Sequence, residues 1–204
     1  VGSLREEIEP LHLVVPDQFV DRTYRRVATF SEPGAVIHAA LAKPVCDRLS
    51  RLLVDAGRSA GVTVHDGGTY VCIEGPQFST RAESDLYRSQ GLDIDGMTNA
   101  TEAKLAREAG IAYATLSMAC DYDSWHPTHE TVTAEMAIAN LMASVEVAQQ
   151  TLRLAISNLP VDAPASCGDA SRALISPPDS VPPRVRRKLS PLIPSLAETS
   201  KEPE

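Results

Sequence analysis

With 204 residues the chain is long enough to bury a substantial core as one domain with a tail. A formal net charge of −8 excludes a general nucleic-acid binder, whose phosphate contacts need clustered Lys and Arg. No apolar stretch reaches bilayer length and no charged-then-apolar leader is recognisable, so a membrane role is not expected. Cys46, Cys72, Cys120 and Cys167 are scattered, with no Cys-x-x-Cys pair. That sets aside zinc ribbons and redox pairs, and makes a reducing cytoplasm the expected location.

The opening Val1 to Glu7 reads as the interior of a domain, and the expectation is a protein lacking its amino-terminal part. Leu11–Val15 is an apolar run stopped by Pro16, a predicted strand, and Val36–Leu41 is another. Pro44 suits a first helical position, and Val45, Leu49, Leu52, Leu53 and Ala56 recur at helical spacing until Gly61. Val62–His65, the Gly67–Gly68 turn and Thr69–Ile73 give strand, turn, strand. Ser79 or Thr80 caps a helix through Gln90, with Glu83 completing a capping box after Thr80 and Gly91 as the stop. Leu92–Met97 is a short strand, and Asn99 with Glu102 starts the next helix, which Gly110 ends. Ile111–Cys120 is predicted to be a buried strand of a mainly parallel sheet. A long helix begins near Thr131–Thr133 and ends before Pro160. The alternation of strands and helices with short links predicts an α/β layered fold.

Residues 160–204 hold nine of the fifteen prolines and no aromatic. The division expected is therefore a folded domain over 1–159 and a Pro-rich disordered tail over 160–204, in which Arg184–Lys188 is a solvated charge run.

Three predicted strand ends carry polar groups. The central strand runs into Asp121–Tyr122–Asp123, two carboxylates where open α/β sheets bind ligands; the plainer reading is a solvated loop capping the next helix. After Glu74, Gly75–Pro76 turns the chain into Gln77–Phe78–Ser79, which offers N–H groups, a hydroxyl and an aromatic face; alternatively Phe78 plugs the core. Asp95–Gly96–Met97–Thr98–Asn99 sets a hydroxyl beside a helix start, unless Thr98 and Asn99 simply cap it. Three such ends in succession point to a pocket. A metal hydrolase built on Asp121, Asp123, His126 and His129 is the first rival, weakened by Pro127 and by spacing unlike a helical ligand pair. His12, His38 and His65 fall on predicted strands or turns and read as structural.

Glu-Gly-Pro-Gln-Phe-Ser-Thr-Arg-Ala-Glu-Ser from Glu74, Gly-Met-Thr-Asn-Ala-Thr-Glu-Ala-Lys-Leu-Ala-Arg-Glu-Ala-Gly from Gly96 and Met-Ala-Cys-Asp-Tyr-Asp-Ser-Trp from Met118 closely resemble the methylthioadenosine phosphorylases of the trimeric purine nucleoside phosphorylase family. Ser-Leu-Arg-Glu-Glu and Asp-Gln-Phe-Val-Asp-Arg-Thr near the start match as well, so the resemblance covers about residues 1–158. It implies a purine nucleoside phosphorylase-like layered fold missing its first strands, with a mixed, mainly parallel sheet flanked by helices. It also implies a homotrimer, a nucleoside substrate, inorganic phosphate as co-substrate, and no metal or other cofactor. The implied reaction cleaves 5′-methylthioadenosine to adenine and 5-methylthioribose 1-phosphate. By the match, Asp121 would serve purine N7 and Asp123 would accept from the 6-amino group, or the two would share these roles. Phe78 would pack on the base, Ser79 would bond its edge and Met97 would underlie the ribose. Thr98 would donate to phosphate, and Ala134, Ala137 and Ile138 would line the 5′ pocket. The two alanines are smaller than the family's usual residues, which leaves the preferred 5′ group open. Relatives that take 6-oxopurines carry Glu where Ser79 stands and Asn where Asp121 stands, so both positions agree on adenine.

The chain departs from the pattern at its front. The Gly-rich loop, the Arg-His pair and the Thr-Ala that build most of the family's phosphate site all lie upstream of Val1, leaving only Thr98. Leu11–His12 replaces Gly-Asp, and the Phe30–His38 loop is short. The expectation is a retained purine pocket with little or no phosphorolysis; the alternative is a non-catalytic truncated homologue that binds nucleosides or a partner.

Overall fold

The computed structural model of the chain describes residues 1–127, 133–160 and 173–198. Two sheets form its centre. The first orders β1 (Gly2–Ser3), β6 (Ile94–Gly96), β5 (Thr69–Cys72) and β3 (Gln18–Asp21), and the second orders β4 (Val64–Asp66), β2 (Leu13–Val15) and β7 (Ser117–Met118). Pairing is parallel for β3–β5, β5–β6 and β2–β4, and antiparallel for β1–β6 and β2–β7, the mixed sheet expected. Tyr70, Val71 and Cys72 of β5 are wholly buried, since β3 and β6 flank the strand and both its faces are covered.

The strand-turn-strand at Gly67–Gly68 is not a hairpin. Its strands join different sheets, because Asp17 Oδ1 accepts from Gly68 N at 3.1 Å and Asp93 Oδ2 from Thr69 N at 2.7 Å, holding the turn open. Around the sheets lie α1 (Asp47–Ser59), α2 (Arg81–Ser89), α3 (Ala100–Glu108) and α4 (Ala134–Ser157). Helix α1 starts three residues after Pro44, with Cys46 at its N-cap, and Cys46 is disulfide-bonded, which the scattered cysteine spacing does not predict. Cys72 and Cys120 are free and buried. The α2 capping box forms as expected: Thr80 Oγ1 accepts from Glu83 N at 3.2 Å, and Glu83 Oε2 from Thr80 N at 2.7 Å. Asn99 stands at the N-cap of α3 as expected, but its side chain does not cap the helix. Its φ is 76°, and its Oδ1 accepts instead from the Tyr113 hydroxyl at 2.7 Å.

The ten-residue buried strand expected at Ile111–Cys120 is only two residues long. Ile111 is exposed and Ala112–Leu116 are half-buried, with Ala114 and Leu116 facing an apolar groove of about 170 Å³ shared with Leu49, Leu53, Leu152 and Ile156. Beyond β7 the chain crosses to the first sheet: Cys120 N donates to Val1 O at 2.9 Å, Ser3 N donates to Asp121 O at 2.8 Å, and Gly2 forms a parallel bridge with Asp121. Gly2 thus joins Asp95 on one side to Asp121 on the other.

Residues 173–198 correct the expected disordered tail. They form a turn at Pro178–Ser180 and helices α5 (Pro183–Leu189) and α6 (Ser195–Glu198). Val181, Val185, Leu189, Ile193 and Leu196 pack on Ala35 and Ile37 in one buried cluster, with Phe30 against it. The expected strand at Val36–Leu41 reduces to one bridge, Ile37 to Leu174, backed by Ile175 N to Val36 O at 2.9 Å and His38 N to Ala173 O at 2.7 Å. Prolines here act as helix starters rather than spacers: Pro183 opens α5, and fixed φ angles lower the entropy that ordering must overcome. Each large side chain buried in the cluster offsets part of that cost, at about 1.5–3 kcal/mol. In the basic run, Lys188 pairs with Glu32, and Arg186 donates to the carbonyl of Pro178 at 3.0 Å.

Candidate active site

Strands β5 and β6 are parallel neighbours, so Ile73–Thr80 and Met97–Asn99 leave the first sheet at one edge. The third polar strand end reaches the same place by another route, across β1, because Gly2 pairs with both Asp95 and Asp121. A Cβ on Gly2 would overlap Asp95 Oδ1 and lie 3.0 Å from Asp121 Oδ1 and 3.1 Å from Asp123 Cβ. Only glycine lets the three aspartates approach one another here.

Asp121 and Asp123 are 8% and 6% exposed, which excludes the solvated-loop reading. Asp121 Oδ1 accepts from Asp123 N at 2.8 Å, in a turn where Asp123 has φ 51°. Burial pushes the Asp121 carboxyl above the usual carboxylate range. Burial, with the neighbouring Asp121 charge adding to it, pushes Asp123 up to about 6. Burial thus makes both carboxyls easier to protonate, the direction needed in a carboxyl that must donate to a leaving group.

On the other side of Ser79 lies a cleft of about 370 Å³ lined by Phe78, Ser79, Gly75, Glu74, Arg22 and Tyr87 among others; Met97, Thr98, Asp121 and Asp123 are not among its lining residues. Phe78 is 44% exposed, so it faces the cleft and does not plug the core. Ser79 joins the cleft to the carboxyls: its Oγ donates to Asp95 Oδ2 at 3.4 Å, and its carbonyl accepts from Ser124 Oγ at 2.8 Å. Met97 packs over Gly75, where a Cβ would come within 2.6 Å of its Sδ. Thr98 is exposed, its N donates to the Tyr70 hydroxyl at 3.3 Å, and its Oγ1 lies 3.3 Å from the same oxygen. The structure therefore gathers Phe78, Ser79, Met97, Thr98, Asp121 and Asp123 at one edge of the first sheet. It does not bring the α4 residues into the cleft: Ala134 and Ile138 are exposed, Ala137 is half-buried, and none of them lines it. Helix α4 meets this region one turn later, where Asn140 Nδ2 donates to Cys120 O at 2.6 Å.

Three further residues belong to the site and were not singled out from sequence. Asp95 is 5% exposed, and burial first, then the charges of Asp123 and Asp121, hold its carboxyl well above the ordinary range. Tyr70 is wholly buried behind Thr98, and burial pushes its phenol up to about 12. Arg26 ties the two strand ends together, donating to Glu74 O at 2.9 Å and to Met97 O. An arginine in a polar loop carries no local signal of that role, and its carbonyl partners are visible only in three dimensions.

His126 turns to Glu6, its Nε2 lying 3.1 Å from Oε1, and His129 lies outside the described residues. Among the described residues, no group of three or more His, Cys, Asp or Glu is arranged to hold a metal ion. His12 and His65 meet each other, Nδ1 to Nε2 at 3.0 Å, across the paired strands β2 and β4. Among the described residues no helix is long and apolar enough to cross a membrane.

The family model for the Phosphorylase superfamily matches residues 1–157. Over 95% of its length the chain is 49% identical to the S-methyl-5′-thioadenosine phosphorylase of Koribacter versatilis, covering 66% of that protein. It is 50% identical to that of Chloroflexus aurantiacus, with 94% of the chain and 67% of the relative covered. It therefore spans about two thirds of the length of these relatives. Among solved structures, a methylthioadenosine phosphorylase sourced from an Antarctic soil metagenomic library superposes with a TM-score of 0.86 at 44% identity, covering 95% of this chain and 69% of the other. The Schistosoma mansoni methylthioadenosine phosphorylase in complex with adenine does so at 0.73 and 36% identity, covering 76% and 62%. With the sheet edge, the cleft and the buried aspartates in place, these matches establish that the chain belongs to the Phosphorylase superfamily and, within it, to the S-methyl-5′-thioadenosine phosphorylases.

Proposed function

We propose that the chain binds 5′-methylthioadenosine and acts in its phosphate-dependent cleavage to adenine and 5-methylthioribose 1-phosphate. The observation that carries this reading is the pair Asp121 and Asp123, buried behind Ser79 beside an open cleft. As the C1′–N9 bond breaks, its electrons enter the purine, and a phosphate oxygen bonds to C1′ from the opposite face. Adenine leaves readily only when N7 takes a proton or a strong hydrogen bond. Asp121, raised by burial, supplies that proton; Asp123, largely ionised above pH 6, accepts from the 6-amino group. Phe78 covers the base, Ser79 bonds its edge, Met97 supports the ribose, and Thr98 donates to phosphate. Ala134, Ala137 and Ile138 approach the 5′ group only if the start of α4 closes on bound nucleoside. Inorganic phosphate is the only other reactant required. The assembly proposed is a homotrimer, on the resemblance, and sedimentation velocity reads it; the location proposed is cytoplasmic, on the cysteine spacing, a ground that the disulfide at Cys46 weakens.

A second reading is nucleoside binding without turnover. Calorimetric titration with adenine, beside a phosphorolysis assay with methylthioadenosine and phosphate, separates the two. Turnover supports the first reading, and adenine binding without turnover selects the second. Failure to bind adenine overturns both. In either case Asp121→Asn, which cannot carry the proton to N7, weakens adenine binding by roughly 10- to 100-fold.

A further inference from the structure

Asp95 has no part in the roles above, yet it is the most deeply placed of the three carboxyls. It faces Gly2 in the β1–β6 register, and its Oδ1 and Asp121 Oδ1 both crowd the point where a Gly2 side chain would stand. Asp95 Oδ2 is engaged, accepting from Ser79 Oγ, while Asp95 Oδ1 and Asp123 Oδ2 have no hydrogen-bond partner among the described residues. Both residues are more than nine-tenths buried. The buried Ser84 hydroxyl on α2 faces Asp123, so the uncompensated oxygen is Asp95 Oδ1, costly in a dry space unless its carboxyl carries a proton to offer.

The groups around Asp95 leave little else to neutralise it. Asp121 and Asp123 face it from the loop after β7, and the Val1 ammonium acts against them from the start of the chain. The Tyr70 phenol on β5 and the Tyr87 phenol on α2 lie within its field and are neutral at pH 7. Glu83 on α2 adds its charge on the Asp123 side. Asp95 and Asp123 so placed titrate together, with the Asp121 charge acting on both, so a proton held there belongs to the group rather than to one residue.

We propose that Asp95 is the proton store of the purine pocket: it holds the proton of the three-carboxyl set while the pocket is empty and passes it to Asp121 when adenine binds. Asp95 does not touch the base and is a positioning residue acting through Asp121 and Ser79. In the binding step the proton stays within the complex of protein and adenine; in turnover it leaves with adenine and solvent replaces it. Asp95 loses a proton and becomes a carboxylate held by the Ser79 hydroxyl, and Asp121 gains that proton and donates it to N7. After product leaves, Asp95 is reprotonated from solvent. The inference rests on the reading of the cleft as a purine site.

The test is the number of protons taken up when the chain binds adenine, measured by calorimetry at pH 7–8 in buffers of different ionisation enthalpy. The wild-type chain takes up close to none, because the proton is already aboard. Asp95→Asn keeps the shape and removes the store, so Asp121 must draw on solvent. Uptake rises towards about one proton per adenine, and affinity falls about tenfold per pH unit. If the wild-type chain itself takes up about one proton, the store does not exist, and that arm stands even should the variant fail to fold. An Asp95→Asn chain that binds adenine with unchanged affinity and no uptake also overturns the inference. Absence of adenine binding by the wild-type chain at every pH removes the purine reading and this inference with it, a result distinct from the other two.

Discussion

The purine-pocket edge and the carboxyl-terminal annex bury side chains for opposite reasons. Asp95, Asp121 and Asp123 are each less than a tenth exposed, and the carboxyls of all three are pushed upward by burial, so the fold is working against their charged forms. The annex over residues 173–198 buries Val181, Val185, Leu189, Ile193 and Leu196 on Ala35 and Ile37, with nothing ionisable in the cluster. One region lowers stability so that a proton is available to a ligand; the other adds stability with no chemistry of its own. Removing side chains from the two should therefore move stability in opposite directions.

The largest expected effect is in the annex. Ile193 is fully buried at the centre of its cluster, and Ile193→Ala leaves a cavity that costs about 3 kcal/mol. Hydrogen exchange should show the Ile175 and His38 amides losing protection, since their carbonyl partners hold the annex to residues 36–38. Adenine affinity should stay as it was. Loss of both together would mean that the annex supports the pocket and that the two regions are one cooperative unit.

Asp123→Asn should act with the opposite sign. In the unfolded chain the carboxyl titrates near 4; in the folded chain it titrates at about 6. Between those values the unfolded chain has released its proton and the folded chain has not, so rising pH favours unfolding. The penalty is absent below pH 4 and complete above pH 6. Asn cannot ionise, so the variant should be more stable than wild type at pH 7, by on the order of 2 kcal/mol, and equal to it at pH 4. Urea titrations at the two pH values read this directly. An equal difference at both would show that packing, not charge, distinguishes the site.

Much of this contrast is legible in the sequence, and unevenly. Thr80 and Glu83 at capping-box spacing announce α2, and Gly91 with φ 77° marks its end, because these are local rules with local causes. The polar ends after Glu74, at Thr98 and at Asp121 point to one sheet edge, and the resemblance assigns roles to Phe78, Ser79 and Asp121. Asp95 escapes both approaches. It alternates with Asp93 along β6 and so takes the solvent phase of a half-buried strand, whereas the consecutive residues Ile94 and Asp95 are both buried, so both faces of β6 are covered here. The annex was hidden by proline count, although Val181, Val185, Leu189 and Ile193 recur every fourth residue, a helical stripe that outweighs composition. The length of β7 fails for a third reason: Ile111–Leu116 has a buried strand's composition, but Ala114 and Leu116 face an open apolar groove, and Tyr113 O accepts from Cys46 N at the start of α1 rather than from a neighbouring strand.

The smallest expected effect lies where the two kinds of burial meet, at the rim of the cleft. Thr80 is exposed, lines the cleft and caps α2, and Glu83 returns the bond through the Thr80 amide. That bond is the main reason the Glu83 carboxyl sits below its ordinary range, so its support is present at neutral pH and fades as acid protonates it. Thr80→Ala removes the hydroxyl and leaves the Glu83 amide uncapped, a loss of about 1 kcal/mol in urea titration. The residue before it is Ser79, the link between cleft and carboxyls, so fraying at Thr80 should loosen the Ser79 bond to Asp95 as well. A modest weakening of adenine binding, about two- to fivefold, should then accompany the stability loss. Stability loss with adenine affinity untouched would show instead that the backbone turn at Gly75–Pro76, and not the helix cap, holds Ser79 in place.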